Sequence, residues 1–427
     1  MKDDSKIGLL EAVSIGIGGM VGGGIFAVLG LAVSLAKGAT SAAFLIAGAL
    51  ALITAYSYSK LSVAYPDKGG TVRFVNEGFG RTVFSGGINN LLWISYIIML
   101  ALYASAFGSY APNLFSLTGD KATDFHIYAS GIIALATAIN FYSVRIVGEI
   151  EDYVVGIKLL ILLGFIVVGM AGLAGNPNLS QLAVNNWKDP IQIITGGMVI
   201  FVAYEGFELI ANAVPDMRSP EKNIPRAYGY SVAFVILLYV VIAAVTVGSL
   251  PFREIAEAQD YALAEAAKPM LGQVGFTVIT IAALISTFSA INASLYGGTR
   301  VNYEIAKDDE LPRELTSKLW NQPVGLLITS VLTLVLTNLL NLESISTSGS
   351  VGFLLIFAVV NLAAFRLSGQ INGNKALSLA GFVLCSLATV TLLVQQFSTN
   401  PIGVVAAVSV ILVCFLMEWI YKRSERV

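Results

Sequence analysis

Twelve long apolar runs limit what this chain can fold into more than any other feature of its sequence. A helix needs about 20 apolar residues to cross the hydrocarbon core of a lipid bilayer, and each run has about that length. The runs lie near residues 8–35, 40–63, 83–112, 126–143, 150–174, 191–213, 228–250, 273–300, 323–341, 349–367, 376–396 and 401–421. The stretches between them are too short to form a soluble catalytic domain. The sequence therefore predicts an all-α polytopic membrane protein with 12 transmembrane helices.

The composition agrees with this class of protein. Hydrophobic residues make up 56% of the 427, charged residues make up 12%, and the mean hydropathy is +0.78, values that a water-soluble domain does not reach. The first run lacks an A-x-A-like cleavage site, so we expect no cleavable signal peptide. The two cysteines, Cys385 and Cys414, lie amid apolar neighbours. This setting predicts small buried side chains rather than a disulfide or a metal site.

The Lys and Arg residues predict the orientation in the membrane. If the N-terminus is cytoplasmic, only five of the 25 Lys and Arg fall in outer loops, namely Lys37, Lys121, Lys188, Arg253 and Lys268. Lys158 lies within a span, and the others are on the cytoplasmic side. Because cytoplasmic loops are enriched in Lys and Arg, we expect both termini in the cytoplasm and the protein in the cell (plasma) membrane.

A glycine-rich interruption divides the first span. The stretch Ser14–Phe26 contains six glycines, at positions 16, 18, 19, 22, 23 and 24. Each glycine costs roughly 1 kcal/mol relative to alanine inside a helix, so we expect the helix to break here. Broken backbone is tolerated in a bilayer only where protein or a water-filled cavity surrounds it, which indicates a binding site at mid-membrane depth. The alternative is that the glycines, spaced as G-x-x-x-G, serve only close helix packing.

A second interruption lies in the sixth span. Gly206 stands there beside two carboxylates at membrane depth, Glu205 and Glu208. This interruption comes five spans after the first, so the two broken helices enter the membrane from opposite faces. The pattern predicts a 5+5 inverted repeat. Its parts are residues 1–174 (spans 1–5), residues 175–370 (spans 6–10) and residues 371–427 (spans 11–12 and a cytoplasmic C-terminus).

Lys158 is a charged residue inside the apolar fifth span. It follows Gly148 by ten residues, about 15 Å along a helix, but it lies only about 9 Å beyond Asp152. A lysine at the centre of a transmembrane helix costs about 2.5–3.5 kcal/mol, so an intramembrane lysine indicates a function. The alternative is that its long side chain extends to the inner interface.

Three motifs are specific enough to indicate a family. The first is G-G-M-V-G-G-G-I-F at Gly18–Phe26. The second is Y-E-G-F-E at Tyr204–Glu208, followed by S-P-E-K-N-I-P-R-A at Ser219–Ala227, and the third is N-Y-E-I-A-K-D-D-E-L-P at Asn302–Pro312. Together they resemble the amino acid, polyamine and organocation (APC) superfamily of transporters, although Ser219 replaces the usual leading Asn. The resemblance runs from span 1 to span 10, and it implies the inverted-repeat fold of bacterial leucine transporters, with helices 1 and 6 broken.

The lysine of span 5, in G-I-K-L-L, most resembles that of proton-coupled, broad-specificity amino acid transporters of archaea and bacteria. In those relatives it stands where sodium-driven cousins bind Na⁺, and it faces span 1 backbone and span 8 hydroxyls. The resemblance therefore implies a proton-coupling site made of Lys158, Gly18, Gly19, Ser286 and Ser289. Glu205 departs from many family members, which have an apolar residue there, and this leaves the charge of the substrate open.

The two broken helices suggest how a substrate would bind. A broken helix offers free N–H groups at one half-helix end and free carbonyls at the other, each with about half a unit of charge. A zwitterionic amino acid has the matching two ends, so we hypothesise that glycine amides of span 1 bind its carboxylate and carbonyls of span 6 bind its ammonium group. The predicted substrate site comprises Gly22, Gly23, Gly24, Ile25, Phe201, Ala203, Tyr204, Glu205 and Phe207, with Tyr96 as a further candidate.

These features predict a secondary active transporter that takes up amino acids by proton symport through alternating access. Its partners would be the amino acid, protons and the lipid bilayer, with no nucleic acid, cofactor, metal or catalytic residue. Glu205 and Glu208 keep open an alternative, which is an antiporter or a carrier of cationic amino acids or polyamines. An ion channel is a candidate from another class. ATP-driven transport and an intramembrane enzyme are disfavoured, because the sequence has neither a G-x-x-x-x-G-K-[ST] nor an H-E-x-x-H motif.

Overall fold

The computed structural model describes residues 7–142, 144–173, 177–307, 318–319 and 322–424. Almost all of these residues are helical. The α-helices are α1 Leu9–Met20, α2 Gly24–Ala36, α3 Thr40–Ala64, α4 Thr71–Phe79, α5 Val83–Tyr110, α6 Lys121–Tyr142, α7 Val144–Leu173, α8 Pro190–Val199, α9 Ile210–Ala213, α10 Pro220–Ser249, α11 Phe252–Glu257, α12 Ala262–Lys307, α13 Val324–Leu339, α14 Leu342–Arg366, α15 Lys375–Thr399 and α16 Pro401–Ser424. Two short strands, β1 Lys318–Leu319 and β2 Gln322–Pro323, form an antiparallel pair.

The helices are long and apolar enough to make a polytopic membrane protein. Within the described residues, nine helices could each cross a membrane, and two bent pairs raise the number of spans to eleven. The remaining predicted span, near 323–341, corresponds to α13, which has only 16 residues. The structure thus confirms the all-α polytopic class, while the number 12 stays a prediction.

The two bent spans are the ones in which the sequence predicts a break. Helices α1 and α2 form one pair, with a bend of 48°, and α8 with the segment Phe201–Asp216 forms the other, with a bend of 51°. Gly206 has a φ of +114°, a conformation that residues with a side chain rarely adopt. Helix breaking by glycine is therefore confirmed in both spans.

The two bent spans lie antiparallel and touch at both ends and in the middle. Ile7 forms a β-bridge with Met217, so the start of the first span meets the end of the sixth. At the opposite ends, Lys37 forms a β-bridge with Trp187. Between them, a Cβ atom on Gly19 would lie only 2.7 Å from the carbonyl oxygen of Gly206. The breaks therefore face each other backbone to backbone.

The remaining spans divide into an inner and an outer set. In α5 and α14, 89% and 83% of the apolar window is buried, whereas in α6, α7, α15 and α16 the buried share is 28%. Helices α5 and α14 therefore pack inside the bundle around the bent spans. The outer set exposes large apolar side chains, as expected for helices that contact lipid.

Two connections differ from the sequence interpretation. The stretch 64–81 reads as a loop in the sequence, but it contains the amphipathic helix α4. The segment 253–268 reads as one short amphipathic helix, but it forms α11, a 3₁₀ turn at Gln259–Tyr261 and the start of α12, which bends again at Gly272. The last five residues of the third family motif, 308–312, lie outside the described residues.

Candidate functional site

The break in the first span leaves backbone carbonyls that other spans satisfy. The Lys158 ammonium group donates to the carbonyl of Gly18 at 3.1 Å and is fully buried. The Ser286 hydroxyl donates to the carbonyl of Val21 at 3.0 Å and also contacts that of Gly22. Helices α7 and α12 thus both bind the end of α1, as the family resemblance implies. Unpaired carbonyls are costly in a bilayer, so these side chains stabilise the break.

Tyr239 of α10 connects the two breaks. Its hydroxyl lies 2.7 Å from the carbonyl oxygen of Met20, at the end of α1, and 3.3 Å from that of Ala203 in span 6. The side chain is fully buried. The sequence analysis missed this residue, because a single tyrosine in an apolar run gives no signal of its role.

The break in the sixth span carries two acidic side chains that are almost fully buried. The Glu208 carboxylate accepts the amide hydrogen of Gly206 at 2.8 Å, and it lies beside the side chain of Glu205. Two tyrosines of α5, seven residues apart on one face, complete the cluster. Tyr103 donates to Glu205 and Tyr96 donates to Glu208, each at 3.3 Å.

Two serines of α14 hold the α8 end of this break. The hydroxyls of Ser346 and Ser350 donate to the carbonyl of Val199, the last residue of α8, at 2.7 and 2.8 Å. Ser350 also accepts the amide hydrogen of Val202 at 3.1 Å. A buried helix end needs such partners for its last carbonyls. The sequence analysis did not single out either serine.

The amide side of the first break points toward span 6. Helix α2 begins at Gly24, so the amides of its first turn, which includes Ile25, have no acceptor within the helix. The Gly22 amide instead donates to the carbonyl of Gly19 at 3.3 Å. A Cβ atom on Gly24 would lie 2.9 Å from the Cα atom of Ala203. Only a residue without a side chain fits this close approach of the two breaks.

The predicted aromatic residues divide between two sides of span 6. Phe201 and Phe207 both pack against Phe357 of α14, with ring centroids 5.8 and 5.1 Å apart. Tyr204 points the other way, and its hydroxyl donates to the carbonyl of Phe44 in α3 at 2.8 Å. The structure therefore brings Phe201 and Phe207 together on Phe357, and it places the Tyr204 side chain away from them.

Two other predicted residues, Gly23 and Ser289, lie at the first break and on α12, respectively. Gly23 precedes α2, and a Cβ atom there would strike the ring of Tyr103. Ser289 is buried three residues after Ser286 on α12. Among the described residues, no group of three or more His, Cys, Asp or Glu side chains could hold a metal ion.

Comparison with known proteins assigns the family. A family model described as amino acid permease matches residues 7–421. The chain belongs to the amino acid permease family. Together with the helical bundle and its two broken spans, this membership makes the protein a multi-pass membrane transporter of amino acids and not an enzyme.

Three relatives show how far the similarity extends. The chain is 34% identical to an uncharacterized protein of Methanocaldococcus jannaschii over 99% of this chain and 97% of that protein. It is 32% identical to the inner membrane transport protein YbaT of Escherichia coli over 99% of this chain and 98% of YbaT. It is 22% identical to the branched-chain amino acid permease BcaP of Bacillus subtilis over 98% of this chain and 93% of BcaP. The family resemblance read from the three motifs is therefore confirmed.

Proposed function

We propose that this amino acid permease takes up its substrate by proton symport through alternating access. The observation that carries the proposal is the contact between Lys158 and Gly18. A fully buried ammonium group donates to a backbone carbonyl at the end of the broken helix α1. The amine is a titratable group that touches this break directly, so its proton can control how the break is held.

The coupling follows from the strength of this hydrogen bond. A hydrogen bond from an ionised donor is about twice as strong as one between neutral groups. Protonated Lys158 therefore holds α7 firmly against α1, and Ser286 holds α12 against the same break. When Lys158 releases its proton toward the cytoplasm, its hydrogen bond to Gly18 weakens, and the site opens inward. The proton then drives a conformational change because it binds more strongly to the conformation in which Lys158 contacts α1.

The substrate would bind between the two breaks. The amides that begin α2 suit a carboxylate, and the carbonyls of Met20 and Ala203 suit an ammonium group. The aromatic cluster around Phe201 and Phe207 would receive the side chain of the amino acid. The name of the relative BcaP, a branched-chain amino acid permease, agrees with an apolar pocket.

A second candidate is an antiporter or a carrier of cationic amino acids or polyamines. It is favoured by the two carboxyl groups of Glu205 and Glu208, which lie at the break of span 6 with only 2% of each residue exposed. A cationic substrate would pair with them. Because each carboxyl group already accepts a hydrogen bond from a tyrosine of α5, we favour the neutral substrate.

The same proposal includes the inverted repeat and the orientation. The two bent spans, five spans apart and bent by 48° and 51°, support repeats at 1–174 and 175–370, followed by 371–427. The excess of Lys and Arg in alternate loops supports cytoplasmic termini in a cell membrane.

Lys158→Ala tests the proposal in proteoliposomes. A pH gradient of about one unit stores about 1.4 kcal/mol per proton, enough for about tenfold accumulation by one-for-one symport. We first screen the twenty proteinogenic amino acids and common polyamines for competition in the unmodified protein. We then expect the variant to bind the best substrate but to equilibrate it without accumulation, because the backbone site is intact and the titratable amine is gone.

The matched control is Lys121→Ala, which removes an exposed lysine at the start of α6. It should accumulate substrate like the unmodified protein. If Lys158→Ala still concentrates substrate with inward-directed protons as the only energy source, Lys158 does not carry the coupling, and the proposal is wrong.

A further inference from the structure

The Tyr239 hydroxyl lies at the position where both breaks present a carbonyl group. Its oxygen is 2.7 Å from the carbonyl oxygen of Met20 and 3.3 Å from that of Ala203. These carbonyls belong to the ends of two half-helices, where the negative ends of the helix dipoles concentrate. The neighbouring carbonyls of the first break have other donors, such as Lys158 on Gly18 and Ser286 on Val21. Tyr239 is thus the donor shared by the two breaks.

We propose that Tyr239 stands in for the ammonium group of the substrate, and that a bound amino acid displaces its hydroxyl from the two carbonyls. This inference rests on the proposed function, since it names the atoms that exchange when an amino acid binds. It makes Tyr239 a residue that sets the affinity of the site without contacting the substrate's side chain.

The exchange is favourable because of the number and charge of the donors. A tyrosine hydroxyl has one hydrogen and can donate fully to one carbonyl at a time, as the unequal distances of 2.7 and 3.3 Å reflect. An ammonium group has three hydrogens and a full charge, so it can serve both carbonyls with stronger bonds. Without either donor, two buried carbonyls would remain unsatisfied, which the membrane interior penalises.

The surroundings of the Tyr239 ring allow a substitution that removes the hydroxyl group and keeps the packing of the ring. The Tyr239 ring packs against the rings of Phe44 and Tyr204, with centroids 5.6 and 5.3 Å apart. A phenylalanine at this position keeps those contacts and removes only the hydroxyl. The variant therefore isolates the hydrogen bonds to Met20 and Ala203.

Tyr239→Phe is tested with the full chain in detergent, by thermal melting and by calorimetric titration with each of the twenty proteinogenic L-amino acids. Without amino acid, the variant should melt at a lower temperature, because two carbonyls lose their donor. With amino acid, it should bind about fivefold more tightly, because binding no longer has to replace one net hydrogen bond.

Tyr110→Phe is the matched control. Tyr110 is also fully buried, and its hydroxyl donates at 3.2 Å to the carbonyl of Phe26, which belongs to the first turn of α2. This variant should lose thermal stability with no change in affinity. If Tyr239→Phe binds more weakly, the hydroxyl contacts the substrate, and if its affinity is unchanged, the hydroxyl only joins the breaks. Either result overturns the inference.

A second measurement does not depend on the stability of Tyr239→Phe. We incorporate 3-fluorotyrosine at position 239 and record its fluorine resonance during titration with the amino acid that binds best. Displacement should shift this resonance, whereas an unchanged resonance would contradict the inference. If the unmodified protein binds none of the twenty amino acids, the proposed function itself has failed, which is a distinct result.

Discussion

Both breaks leave backbone groups that need hydrogen-bond partners, and different residues supply those partners in the two spans. In span 1 the break is built from glycines, and its carbonyls are satisfied by Lys158, Tyr239 and Ser286, which belong to three other spans. In span 6 the break carries its own polar groups, Glu205 and Glu208, and the second of these bonds the local backbone. The first break therefore depends on its neighbours, whereas the second is partly satisfied by its own side chains.

This difference suggests that the two breaks have different roles in transport. A break held by side chains from other helices changes when those helices move or change charge, so span 1 is suited to sense the proton and the conformation. The break in span 6 is held in part by its own Glu208 carboxylate, so its shape depends less on other helices, and span 6 is suited to define the pocket. Four substitutions test this comparison, from the largest expected effect on substrate uptake to the smallest.

The largest effect should come from Gly206→Ala. Gly206 has a φ of +114°, and a Cβ atom there would also lie 2.6 Å from the amide nitrogen of Met20. The backbone conformation alone costs about 1–3 kcal/mol for a residue with a side chain. We expect loss of folded protein in size-exclusion chromatography and, in any protein that survives, no measurable uptake.

The control for Gly206→Ala is Gly131→Ala. Gly131 lies in α6, and a Cβ atom there would meet no atom within 4 Å. This variant should fold and transport like the unmodified protein. Normal uptake by Gly206→Ala would show that the contact between the two breaks is not needed.

A smaller effect is expected from Glu205→Gln. Glutamine keeps the shape of the side chain and can still accept the hydrogen bond from Tyr103, but it removes one ionisable group. For a neutral substrate we expect an uptake rate within about threefold of that of the unmodified protein. A threefold change corresponds to about 0.7 kcal/mol. The measurement is uptake of the best neutral amino acid in competition with lysine, arginine and putrescine. Selective loss of competition by these cations would instead support the cationic carrier.

The smallest effects on the rate of uptake should come from the serines that hold each break. Ser286→Ala removes the donor to Val21 and Gly22 in span 1, and Ser350→Ala removes the donor to Val199 in span 6. Each should lower the free energy of unfolding by about 1–3 kcal/mol, because a buried carbonyl loses a partner. Only Ser286→Ala should also reduce proton-driven accumulation. Equal effects of the two variants on accumulation would remove the distinction between the breaks.

Sequence reasoning located the central features of the fold. Runs of apolar residues identified the eleven spans that the described residues form, because length and hydropathy suffice to define a helix that crosses a bilayer. The glycines of span 1 and Gly206 marked both breaks, since glycine destabilises a helix wherever it lies. Lys158 stood out because a charge in an apolar span is costly. These are local properties, and they need no knowledge of neighbours.

Only the tertiary structure decided which groups serve each break. Ser286 reaches Val21 across 265 residues of chain, and Tyr239 reaches Met20 across 219. In a membrane protein the face toward lipid and the face toward other helices are both apolar, so periodicity does not reveal which side chains face the interior. The roles of Tyr239 and Ser350, and the opposite directions of Phe201 and Tyr204, therefore follow from helix packing and not from the sequence of any one span.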